Sequence, residues 1–128
     1  MRVKSKLRPF ACSILGGIFS IIFLSFSLSD HGTHNLAKGK AVFGENCTGC
    51  HGQNGEGSFG PNLTDNYFIH GHHLHTVIHI VRHGNSKGMT AFGHHLTHHQ
   101  IRDVAHYVIS LRGTNPPSPK APQGKLLK

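Results

Sequence analysis

Five consecutive residues of this chain have types and spacing suited to chemistry: Cys47, Thr48, Gly49, Cys50 and His51. Two thiols three positions apart at the end of a helix can each form a thioether to one vinyl group of a haem. The residue that follows then lies beneath the iron, where its imidazole coordinates. A Cys-x-x-Cys-His run therefore reads as covalent haem attachment and predicts one haem c, with His51 as an axial ligand. The same thiols also suit a redox pair or half of a zinc site, which would need two further ligands. The chain's 14 histidines leave that reading open.

A second axial ligand has to come from elsewhere. Of the 2 methionines, Met1 precedes an apolar leader and Met89 lies in a glycine-flanked loop, Lys87-Gly88-Met89-Thr90. A lone methionine often serves only to fill a core. Here the loop position and the haem motif favour a ligand, and a thioether opposite histidine raises the haem potential. Ligation by a second histidine competes with it.

These residues need elements to position them. The spacing predicts a first helix over His34 to Cys50, with Leu36, Val42 and Phe43 apolar. A loop rich in glycine runs from Gly52 to Tyr67, in which Thr64 suits a turn cap. Leu74, Val77, Ile78 and Val81 recur at helical spacing and predict a second helix over His72 to His83, ended near Gly84. Thr97 suits the N-cap of a last helix, with Gln100 as its box partner. Ile101, Val104, Ala105, Val108, Ile109 and Leu111 supply that helix's apolar face, and Gly113 ends it. No segment shows a strand pattern, so the fold class is all-α with three main helices.

The 128 residues suit one small domain. Residues 1–29 read as a leader, residues 30–113 as the domain, and residues 114–128 as an extended tail. Pro116, Pro117, Pro119 and Pro122 keep that tail out of helix. So short a domain is marginal on apolar burial alone, and a covalent cofactor would staple it. The 13 basic residues outnumber the 5 acids. Four of them (Arg2, Lys4, Lys6 and Arg8) precede the uncharged run Phe10 to Ser29. No basic stripe interleaved with aromatics follows, which argues against nucleic-acid binding. Cys12 lies in the apolar run, so the 3 cysteines make no disulfide framework.

The leader has two readings. Ser27-Leu28-Ser29 provides small residues where a signal peptide would be cleaved. Twenty uncharged, mostly apolar residues in a helix would also span roughly 30 Å, enough for a membrane anchor. Both readings keep the positive charge inside and put the domain on the periplasmic face of a bacterial cytoplasmic membrane.

Several segments together resemble the class I cytochromes c. Ala37-x-Gly39-x-x-x-Phe43-x-x-x-Cys47-x-x-Cys50-His51 is similar to their first helix. Gly60-Pro61-Asn62-Leu63-Thr64-Asp65 is similar to the segment after their haem loop. Gly88-Met89-x-Ala91-Phe92 resembles their methionine loop, and Val104-Ala105-x-Tyr107-Val108 their C-terminal helix. The resemblance covers about Leu36 to Gln123 and is closest to the C-terminal haem domain of the dihaem cytochrome c subunit of cbb-type haem–copper oxidases. Leu111-Arg112-Gly113-Thr114-Asn115-Pro116-Pro117 and Lys120-Ala121-Pro122-Gln123-Gly124 are particularly like that subunit. There are two departures: the chain has one haem motif, and Thr90 stands where the family usually has proline.

The resemblance implies a small class I cytochrome c fold wrapped round one haem. It implies that Gly39 lets the first and last helices cross closely near Tyr107. It also implies that the Pro61 carbonyl accepts the proton of the other ring nitrogen of His51, and that Tyr67 and Phe92 wall the haem. As ordinary core aromatics, these last two would also need no further role. Arg82 reads as a solvated helix residue, with a haem propionate as its alternative partner.

The implied function is one-electron transfer in a respiratory chain towards a terminal oxidase, with redox proteins as partners and no catalysis by this chain alone. A haem subunit of a dehydrogenase, a haem-based sensor and a histidine-rich metal-binding protein are the alternatives. His75, His79 and His83 lie at four-residue intervals, and His94-His95 and His98-His99 repeat that offset. They read as a solvated surface or as weak ligands for a divalent metal.

Overall fold

Helix α1 spans Leu36–Asn46 and starts where Asn35 accepts the Lys38 N–H at 2.9 Å. Its buried residues are Gly39, Val42 and Phe43, three and four apart and so on one face. Helix α2, Thr48–His51, follows after Cys47. A computed structural model describes residues 34–127. The leader, residues 1–29, lies outside the described residues. None of the described helices is long and apolar enough to cross a membrane.

Residues 67–68 (Tyr67–Phe68) form β1, Leu74–His83 form α3, His98–Ser110 form α4 and Lys125–Leu126 form β2. Helix α3 stops at Gly84, whose φ of 69° is easy only for glycine. Helix α4 starts with the complete capping box. Thr97 Oγ1 accepts the Gln100 N–H at 3.3 Å, and Gln100 Oε1 accepts the Thr97 N–H at 2.9 Å. Ile101, Val104 and Ala105 are almost wholly buried on one face of α4.

Helix α1 packs on α4, and α3 packs beside it on α4. The closest approach is at Gly39, which lies against the backbone carbonyl of Asp103 and the Cβ of Tyr107. Phe43 and Tyr107 meet edge to face there, their centroids 5.4 Å apart. Asp103 Oδ1 accepts the Asn35 N–H at 2.8 Å, which ties the start of α1 to α4. Val42, Phe43, Val81, Ile101, Val104 and Leu111 make one core. Burying a side chain of this size contributes about 1.5–3 kcal/mol each.

The structure departs from the sequence reading in four places. The first helix is interrupted at Cys47, so His34 to Cys50 is not one element. Helix α3 begins at Leu74, two residues later than expected. Leu36 is 46% exposed and stands outside the core. A strand pair exists where none was expected: Tyr67 faces Leu126 and Phe68 faces Lys125 in an antiparallel register. Two residues are too few to show alternation, so periodicity could not reveal that pair. The pairing also folds the tail back onto the domain, where Leu127 N–H donates to the Asn66 carbonyl at 3.0 Å.

Candidate haem site

The residues singled out in the sequence converge on one place. Cys47, Cys50, His51, Pro61, Tyr67, Met89 and Phe92 all line a single cavity of about 450 Å³. Phe43, Val81 and Val104 from α1, α3 and α4 form its apolar floor. A volume of that order suits a cofactor rather than a water cluster.

The local backbone explains how the motif is presented. The Cys47 N–H donates to the Phe43 carbonyl, and the Cys47 carbonyl accepts the His51 N–H, both at 2.9 Å. The helical path is thus carried through the break, and the two cysteines and the histidine stay on one side. Cys50 is exposed and Cys47 half-buried. Burial, and then repulsion from Cys50, pushes the Cys47 thiol up to about 11.

His51 is buried, and its Nδ1 lies 3.0 Å from the Pro61 carbonyl oxygen. With Nδ1 donating to that oxygen, Nε2 is the nitrogen left for a metal. Burial holds His51 below the usual imidazole range. The Pro61 hydrogen bond opposes this, and the Lys120 ammonium adds to it. The net result favours the neutral ring, the form that coordinates. Gly60 packs on the same ring, with a Cβ there standing 2.8 Å from His51 Cε1.

Met89, which also lines the cavity, is half-buried against the core. Its loop is organised by Asn85, whose Oδ1 accepts the N–H groups of Lys87 at 2.8 Å and Met89 at 3.3 Å. Asn85 N–H returns a bond to the Met89 carbonyl at 3.1 Å, and Phe92 N–H donates to Val81 at 2.9 Å. These bonds hold the loop, in which Thr90 follows Met89. Arg82 does not line the cavity.

Two thiols, an imidazole with one nitrogen free, and a thioether therefore bound one largely apolar cavity. That donor set fits a covalently held haem. Sequence reasoning missed Asn62, Gly60, Asn85 and Lys120 as supports of the site. Asn62 is buried; its Oδ1 accepts from the Thr64 N–H at 2.8 Å and from the Thr64 hydroxyl at 2.7 Å. Asn85 alone carried a local signal, as an asparagine that follows a helix-ending glycine.

The histidine surface does not assemble a comparable site. Among the described residues, no group of three or more histidine, cysteine, aspartate or glutamate side chains is placed to hold a metal. Of the pairs singled out by their four-residue spacing, His79 and His83 have ring centroids 4.6 Å apart.

Comparison with known proteins gives the family and the fold. Residues 34–108 match the family model described as cytochrome C oxidase, cbb3-type, subunit III. The chain is 41% identical over 98 residues to the Cbb3-type cytochrome c oxidase subunit FixP of Azorhizobium caulinodans, covering 69% of this chain and 33% of that protein. It is 38% identical over 93 residues to subunit CcoP of Cereibacter sphaeroides, covering 70% of this chain and 32% of that one. The chain thus spans about a third of the length of these relatives. Cytochrome CL from Methylophaga aminisulfidivorans superposes with a TM-score of 0.55 at 27% identity, over 59% of this chain and 53% of that one. The fold is that of a class I cytochrome c, and the chain belongs to the cbb3-type cytochrome c oxidase subunit III family.

Proposed function

We propose that this chain is a one-electron carrier with a single haem c on Cys47 and Cys50, ligated by His51 and Met89, passing electrons towards a terminal oxidase. The observation that carries the reading is the meeting of both thiols, the His51 imidazole and the Met89 thioether on one cavity. When bound, the haem supplies the Fe(III)/Fe(II) couple. The protein's own residues bind it, orient it and exclude water.

Cys47 and Cys50 anchor the group, so that it cannot leave between electron transfers. Pro61, through its carbonyl, fixes which nitrogen of His51 is free and makes that nitrogen more basic. Met89 would offer its thioether to the iron, which would close the site to gas ligands and favour transfer over sensing. Tyr67 and Phe92 wall the group. The partners are redox proteins of the respiratory chain, and the domain works on the periplasmic side of the membrane, delivered there by residues 1–29. Surface histidines have a minor role in this reading. His79 and His83 supply two ligands, fewer than a resident metal takes.

Two measurements on protein taken from membranes test this. Intact mass reports the added haem and whether the leader is retained. Substituting Met89→Ala is expected to abolish the near-red sulfur-to-iron band of the oxidised protein and to let the reduced protein bind carbon monoxide. A spectrum unchanged by the substitution would remove Met89 from the iron.

A further inference from the structure

The C-terminal tail lines the cavity at Gln123 and grips the loop beside it through Lys120. Lys120 is half-buried, and its Nζ donates to three successive carbonyls: Ser58 at 2.7 Å, Phe59 at 3.1 Å and Gly60 at 3.1 Å. An ammonium has three N–H groups, so its donors are fully used. The Lys120 backbone grips the same loop. Its N–H donates to the Glu56 carbonyl at 2.8 Å, and its own carbonyl accepts from Asn62 Nδ2 at 3.3 Å.

The other edge of that loop is bound to the haem motif. Gly57 N–H donates to His51 at 2.7 Å, while Ser58 and Gly60 donate to Cys50 at 3.1 and 2.8 Å. Gly57, Ser58 and Gly60 therefore point their N–H groups at the motif, while the 58–60 carbonyls point at Lys120. The next carbonyl along, that of Pro61, is the one bonded to His51.

We propose that Lys120 is a positioning residue of the haem site, which holds the 58–60 carbonyls so that the loop presents Pro61 to His51 and which sets a fixed positive charge beside that ligand. The inference rests on the haem reading above. A charge-assisted bond is stronger than a neutral one, and three on one ammonium resist loosening of the loop. A positive charge on this side disfavours the more positive oxidised iron and so raises the reduction potential. Loosening the Pro61 bond would act in the opposite sense, because a less basic imidazole stabilises oxidised iron less. The charge outweighs this effect because it acts whether or not the loop moves.

The test uses the full-length, haem-loaded protein. Intact mass and the optical spectrum come first: wild-type protein without added haem mass overturns the haem reading itself. With haem present, Lys120→Gln is expected to shift the one-electron equilibrium about fivefold towards the oxidised form, or about 40 mV. Lys120→Arg, which keeps the charge, should restore most of the shift. A Lys120→Gln potential equal to that of wild type overturns the proposal, and so does a rise.

Nitrogen-15 NMR of the reduced wild-type protein covers the case in which the glutamine variant does not fold. The Lys120 ammonium protons should be visible through slow exchange with water, unlike those of exposed lysines. Exchange as fast as that of the exposed lysines would overturn the proposal on its own.

Discussion

His51 donates from Nδ1 to the Pro61 carbonyl at 3.0 Å, and the residue before Pro61 is the one that packs on the same ring. The acceptor and the ring support are thus neighbours in the chain, and whatever moves one moves the other. Gly60 is required at that spot, because a Cβ there would stand between 2.8 and 3.1 Å from three ring atoms of His51.

Gly60→Ala should consequently displace either the ring or the loop. Overpacking of this kind costs about 1–3 kcal/mol. The expected result is a lower unfolding midpoint of the haem-loaded protein together with a shifted reduction potential. An unchanged potential would show that the contact does not bear on the ligand.

Gly39 presents the same problem between helices. Its missing Cβ makes room for the Asp103 carbonyl, with Tyr107 Cβ at 2.9 Å from where it would be. Alanine gains about 1 kcal/mol in helix propensity. The obstacle is backbone, which cannot rotate away, so the clash should dominate. Gly39→Ala is expected to destabilise by about 1–2 kcal/mol and to lower the melting midpoint by several degrees. A melting curve that coincides with wild type would refute close helix crossing as the reason for this glycine.

The His34 and His106 rings stack with centroids 3.7 Å apart and planes inclined by 12°. Burial, then His34 and Arg102, hold His106 below the usual imidazole range, while Asp103 pulls it up. The folded protein thus binds this proton less readily than the unfolded chain does. Its contribution is full above the ordinary histidine pKa of about 6.5 and is lost as pH falls through that value towards the lower folded one. Thermal midpoints between pH 8 and pH 5 should fall less in His106→Gln than in wild type. Parallel curves would contradict this.

The local features were legible because neighbouring residues determine them. Cys47 to His51 form a motif whose spacing is itself the chemistry. Thr97 and Gln100 form a cap that needs only one turn of helix. Helix α3 repeats its apolar residues at 3.6-residue period and ends at a glycine. Met89 stood out by its loop and by the lack of another methionine in the domain, and it lines the cavity. The Gly39 crossing and the Pro61 acceptor came from family resemblance, because neither has a local signature.

What the sequence by itself determined is therefore the attachment motif, the helices that carry it and the family. What only the tertiary structure decided is what supports the ligand. Lys120 meets its three carbonyl partners across 60 to 62 positions of chain, and Asn35 meets Asp103 across 68. Tyr67–Phe68 pair with Lys125–Leu126 over a comparable distance. Such contacts form when the whole core closes and brings a lysine from the tail to the haem loop. Hydrogen-bond geometry then selects the partner, and no periodicity along the chain records that choice.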